Sequence, residues 1–182
     1  IIRAIKEYAS YNSEINRLVI HFYKNMSQKE LDPIETGLKN LGLEIPVFII
    51  SINKTESRDI VAFDNNWEKL MPQSGTYINI GRNKFLLFNN TRYNTNTFRD
   101  FDGFPFPVKL SIACTDTELA KDTKIIKELI DQVYQFSRMY WKSVKQQNLP
   151  VTIKYPEMVA EMFPYFNGNE IPDFGKENLW FL

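Results

Sequence analysis

The feature that most constrains this chain is a pair of short, almost uninterrupted apolar runs with one helix length between them. Residues 17–23 read Arg-Leu-Val-Ile-His-Phe-Tyr and residues 47–52 read Val-Phe-Ile-Ile-Ser-Ile. Neither shows the alternation of a strand with one wet face, so each is expected to be covered on both sides, as in parallel sheets. The intervening segment, residues 27–41, predicts a helix. Ser27-x-x-Glu30 has the form of a capping box, but Pro33 would break a helix begun there. The expected start is therefore Asp32 as N-cap, with Pro33 at N1 and Glu35 at N3, after a turn over residues 27–31. Gly42 closes the helix and Pro46 leads into the second run. Strand, helix and strand with such short connections predict a βαβ unit with parallel strands.

Beyond this unit the pattern changes to short strands, predicted over residues 59–63, 76–80 and 85–88. Gly81-Arg82-Asn83-Lys84 is a hairpin-type loop between the last two. Residues 89–103 are polar, rich in Asn and Thr, and predict a long loop of the functional or mobile kind. Phe104-Pro-Phe-Pro107 stiffens its exit, and another strand follows over residues 108–113. Apolar residues at 125, 126, 129, 130, 133, 136, 140, 141 and 144 predict one long amphipathic helix over residues 122–146. Pro150 then opens a brief strand to Tyr155, and Pro156 at N1 opens a final helix to about residue 163. Residues 1–10 read as the end of a helix already under way, and Ile1 is no initiator, so a C-terminal piece of a longer protein is expected.

Charge bears on function only locally, because 22 Lys and Arg balance 22 Asp and Glu. Residues 132–155 carry Arg138, Lys142, Lys145 and Lys154 and no acid. On a helix Arg138, Lys142 and Lys145 would form a stripe at i, i+4 and i+7, a spacing suited to a phosphate backbone and equally to a solvated face. The single Cys114 excludes an intramolecular disulfide and a Cys-rich zinc site, and the single His21 excludes a multi-histidine metal centre. His21, between Ile20 and Phe22, reads as a satisfied core residue, and Cys114 as structural. The longest apolar runs, such as residues 45–50, are far short of a membrane span, and a cytoplasmic location is expected.

Six segments, in order, resemble the C-terminal part of an Argonaute PIWI domain. They are Arg17-Leu-Val-Ile-His-Phe-Tyr-Lys-Asn25, Ile49-Ile-Ser-Ile-Asn-Lys54, Pro72-x-x-Gly75-Thr76, residues 104–110, the stretch Phe136-Ser-Arg-Met-Tyr-Trp-Lys-Ser143, and residues 151–160. The resemblance implies an α/β fold, an RNase H-like mixed sheet flanked by helices. It makes residues 1–182 the C-terminal portion of a PIWI domain, with the MID domain and the start of PIWI upstream.

Site residues follow from the resemblance position by position. RNase H-type nucleases gather carboxylates around two metal ions. The place of one aspartate falls at Tyr23, whose phenol, with a reference pKa of about 10, cannot bridge metals as a carboxylate does. The last ligand position falls at Glu157, which at N2 of the predicted helix also suits the helix dipole. No catalytic residue is therefore expected, Tyr23 and Glu157 being degenerate positions. Lys54, Arg138, Lys142 and Lys154 match places where the family contacts the guide backbone. The Leu182 terminal carboxylate matches one that reaches a divalent ion, Mg²⁺, at the guide 5′-phosphate. Tyr140 and Trp141 could stack on bases, although helical spacing places them in the core.

The resemblance is greatest to short prokaryotic Argonautes, which lack a working slicer site. It implies binding of a guide RNA and a complementary single-stranded DNA target, with no cleavage by this chain. Binding would trigger an effector protein, of TIR, sirtuin-like or nuclease type, joined through an APAZ domain in prokaryotic defence. Two other classes remain open: an active guide-directed endonuclease using Glu157 with upstream carboxylates, and an RNase H-like module that binds only protein.

Overall fold

The computed structural model describes residues 1–12, 14–57, 59–91, 106–140 and 148–166. Helix α1 (Ile2–Tyr11) precedes β1 (Leu18–Phe22), α2 (Gln28–Asn40) and β2 (Val47–Asn53). The strands β3 (Thr76–Gly81), β4 (Lys84–Phe88) and β5 (Val108–Cys114) follow, and then α3 (Thr123–Ser137) and α4 (Val151–Met162). The expected parallel pair is present, with Leu18 opposite Val47 and Phe22 opposite Ser51. β2 continues into β5 antiparallel, and β5, β4 and β3 run antiparallel in turn, giving one five-stranded sheet of order β1-β2-β5-β4-β3.

The two apolar faces of this sheet take different helices. Phe48, Ile50 and Ile52 of β2, with Leu110 and Ile112 of β5 and Leu87 of β4, pack under Leu129, Ile130 and Val133 of α3. Val47 and Ile49 point the other way, beneath Leu31, Ile34 and Leu38 of α2. β2 is therefore buried on both faces, as its unbroken apolar sequence demands, and each such side chain contributes roughly 1.5–3 kcal/mol. Helix α1 rests on α2 at Gly37, where the missing Cβ leaves room for Ile2.

Four expected elements differ. Helix α2 begins at Gln28, not at Pro33, with Ser27 as N-cap. The Glu30 carboxylate accepts from the Ser27 N–H at 2.9 Å and from its hydroxyl at 2.8 Å, which secures the earlier start. Pro33 is the sixth helical residue, where its missing N–H leaves only the Lys29 carbonyl without its helical partner. α4 repeats the arrangement: residues 151–155 are helix and not strand, Pro150 is the N-cap and Pro156 is again the sixth residue. Helix α3 stops at Ser137, nine residues short of the expected 146, because the Ser137 hydroxyl takes the Tyr134 carbonyl at 2.6 Å and the Arg138 N–H turns back to Gln135 and Phe136. Residues 59–63 form no strand: the chain there leaves the sheet, tied at Ser57, whose buried hydroxyl donates to the Pro107 carbonyl at 2.5 Å. The polar loop of residues 89–103 lies, from residue 92 on, outside the described residues.

Candidate nucleic-acid interface

The site grows from the carboxyl end of β2. Asn53 closes that strand, and its Oδ1 accepts from the N–H and hydroxyl of Thr55, each at 2.8 Å, and from the Glu56 N–H at 3.1 Å. This turn fixes the backbone around Lys54 as it leaves the sheet. Lys154 and Glu157 approach from α4, three residues apart and so on one helix face. The helix is held against β1 by Thr152, whose hydroxyl lies 2.6 Å from His21 Nδ1.

Glu157 joins the two lysines. Its Oε1 lies 3.3 Å from Lys54 Nζ and its Oε2 lies 3.1 Å from Lys154 Nζ. Burial works against the carboxylate charge, but hydrogen bonds and charge from Lys154, and then from Lys54, outweigh it and hold its pKa below the usual range. Two ammonium groups against one carboxylate leave the cluster with an excess positive charge. Glu157, as the seventh residue of α4, is too deep in the helix to serve the N-terminal dipole, which corrects the expected N2 placement.

Tyr23 stands just past β1 and is 61% exposed, its ring 5.0 Å from that of Phe22. The Lys24 ammonium lies 5.8 Å from both ring centroids and pairs with Glu30 at 3.1 Å. At the Tyr23 position the side chain is a phenol, and both Glu157 oxygens face ammonium groups. Among the described residues no three His, Cys, Asp or Glu groups converge.

Of the other expected residues, Arg138 forms the C-cap of α3, its guanidinium 5.5 Å above the Tyr134 ring and its Nη1 3.4 Å from the Tyr134 hydroxyl. Helix α3 ends before the expected stripe, and Lys142, Lys145 and Trp141 lie outside the described residues. The Leu182 carboxylate also lies outside them. Tyr140 packs toward α4, its ring 6.2 Å from Tyr155 and its hydroxyl 4.0 Å from the Met158 sulfur, which favours the packing role over base stacking. His21 is half-buried against Phe136, and desolvation lowers its pKa to about 4, so the ring is neutral near pH 7. Cys114 accepts from the Asp116 N–H at 3.4 Å, and burial pushes its thiol up, consistent with a structural role.

Sequence reading missed a second polar group, on the opposite side of the strand end, made by Ser51, Ser111, Lys84 and Lys109. The signal was present in β5, where Val108-Lys-Leu-Ser-Ile alternates apolar and polar residues.

No family model matches the chain. It is 25% identical over 146 residues to a Piwi protein of Archaeoglobus fulgidus, an alignment covering 76% of this chain and 34% of that relative. Its fold is similar to that of Clostridium butyricum Argonaute, solved bound to a guide DNA and a 19-mer target DNA, with a TM-score of 0.61 and 21% identity over 90% of this chain. It is similar also to Marinitoga piezophila Argonaute in complex with a 5′-OH guide RNA, with a TM-score of 0.57 and 18% identity over 88% of this chain. Aa-Ago with externally bound siRNA gives a TM-score of 0.55 and 17% identity over 93% of this chain. The chain spans 34% of the length of the Piwi relative and 20–21% of the length of each Argonaute. The five-stranded mixed sheet with helices on its faces is the RNase H-like fold of an Argonaute PIWI domain.

Proposed function

We propose that this chain, with the fold of an Argonaute PIWI domain, is part of a guide-directed nucleic-acid-binding protein that holds a guide and its complementary target without cutting. The observation that carries this reading is the Lys54–Glu157–Lys154 bridge. Glu157 falls at the last metal-ligand position of the family resembled, and here each of its oxygens faces a lysine. The same two lysines suit a phosphodiester, which lysine meets as a point charge without reading sequence. Base pairing between guide and target then supplies specificity, and the protein senses backbone and shape. The likeness to Argonautes that carry guides and targets supports this binding role.

The finer parts of the proposal are a guide RNA, a single-stranded DNA target and an effector joined through an APAZ domain. They rest on the resemblance to short prokaryotic Argonautes and on the phenol at Tyr23. The test uses the intact protein with any co-purifying partner, a 5′-phosphorylated RNA guide and labelled complementary DNA in Mg²⁺. Guide-dependent retention of an uncut target is the expected result. A guide-specific cut would replace this reading with that of an active endonuclease, and no retention would leave a protein-binding module.

A further inference from the structure

On the face of the sheet that carries α2, the apolar cover stops half-way along β2. Val47 and Ile49 lie beneath α2, but the next residues on that face are Ser51 and Asn53. The register sets Ser51 opposite Ser111 of β5, and Ser111 opposite Lys84 of β4. One step along, Asn53 stands opposite Lys109. Cross-strand partners share a face, so a polar patch of Ser51, Asn53, Lys109, Ser111 and Lys84 interrupts the apolar cover of β2. Together with Lys24, Asn25 and Glu56 they line a cavity of about 60 Å³.

Charge and hydrogen bonding in this cavity are incompletely matched. Lys24 pairs with Glu30 at 3.1 Å, and Lys109 with Glu56 at 2.5 Å. Lys84 has no acidic partner among the described residues, so three cations face two carboxylates. Ser51 is 9% exposed, yet neither its hydroxyl nor that of Ser111 makes a hydrogen bond among the described residues. The backbone beneath Lys84 is fixed from two sides. The Asn83 carbonyl accepts from the Ile112 N–H at 2.9 Å, and the Asn83 amide donates to the Ala120 carbonyl at 2.9 Å.

From this arrangement we infer that the Ser51–Ser111–Lys84 row is a second backbone-phosphate contact for the bound nucleic acid. The inference rests on the proposed binding function and adds a site to it. Two hydroxyl donors beside an unpaired ammonium suit a group with several anionic oxygens. Continuity with the first site supplies the choice of ligand. Asn53 lines the cavity, and the adjacent residue, Lys54, belongs to the lysine–glutamate bridge. The two groups lie on opposite sides of the end of β2, so a strand that rounds this end would meet both. The contact carries no sequence information, because it reads phosphate only.

The test measures target affinity of the guide-loaded intact protein over a series of salt concentrations. Lys84→Gln should weaken binding several-fold and reduce the salt slope by about one, equally for unrelated guide sequences. Ser111→Ala should weaken it less, and Lys84→Arg should keep the wild-type slope. Wild-type affinity and slope in Lys84→Gln, with a loss in Lys54→Gln, would overturn this site and leave the proposed function standing. A lower melting temperature in Lys84→Gln with an unchanged slope would overturn it too, pointing to an acidic group of the protein in the cavity. Absence of guide-dependent binding in the wild type would end both proposals.

Discussion

The Lys54 ammonium at the end of β2 lies 3.3 Å from the Glu157 carboxylate on α4, across 103 residues of sequence. With Lys154 on the other oxygen, Glu157 acts as an internal anion for two cations that a phosphate could otherwise engage. The bridge is partly exposed, so its own contribution to stability is small, about 0–1 kcal/mol for each pair. In the proposed function its larger consequence is for binding, because a nucleic acid would compete with the carboxylate.

Replacing that carboxylate should therefore favour the ligand. Glu157→Gln is expected to tighten nucleic-acid binding a few-fold at low salt and to steepen the salt dependence. Equilibrium titration at several salt concentrations checks this. Weaker binding in the variant would mean that Glu157 orients the lysines and does not compete with the phosphate.

Placing an acid at the end of β1 should not produce cutting. In Tyr23→Asp, Glu157 would still be held by Lys54 and Lys154, and a target incubated with the guide-loaded variant in Mg²⁺ is expected to stay intact. Product bands at one guide-defined position would show that the metal site lacks only that residue.

Acid should loosen the contact between β1 and α4. The pKa of His21 lies near 4 in the fold, against 6.5 as the ordinary value, because burial disfavours the charged ring. The unfolded chain then binds the extra proton first, so stability is complete above about pH 6.5 and is lost as pH falls toward 4. Melting temperatures should drop over that window in the wild type and drop less in His21→Gln. Parallel curves for the two proteins would remove His21 as the cause.

The start of α2 has its own pH signature. Hydrogen bonds from the Ser27 backbone and hydroxyl, and then Lys24, bring the Glu30 pKa from 4.5 to about 2. This contribution is present above about pH 4.5 and disappears as pH falls toward 2. Glu30→Gln should melt earlier than the wild type at pH 7, and the difference should close toward pH 2. A difference that persists there would place the effect outside the carboxylate charge.

The parts of the fold legible from sequence were those set by burial. The runs around Ile20 and Ile50 lack alternation because both faces are covered, and that was enough to place the parallel pair. What sequence reading misplaced turns on single hydrogen bonds. Pro33 and Pro156 look like helix starts, yet each is the sixth residue of a helix that begins earlier, at Gln28 or Val151. A proline so near the N-terminus costs one bond, which the Ser27–Glu30 capping box offsets in α2. At Ser137 a hydroxyl competing for the Tyr134 carbonyl ends α3 where the apolar spacing alone continues. That early end makes Arg138 the C-cap of α3. The pairing of Lys54 and Lys154 through Glu157 had no sequence signal, because it depends on how α4 crosses the end of β2.

The most direct measurement is the salt dependence of target binding in Lys54→Gln, Lys154→Gln and the double variant, each as guide-loaded intact protein. The expected result is weaker binding in each, with the slope of log affinity against log salt reduced by about one per lysine and no cleavage in any. Unchanged slopes in all three would contradict the assignment of these lysines to the nucleic-acid backbone.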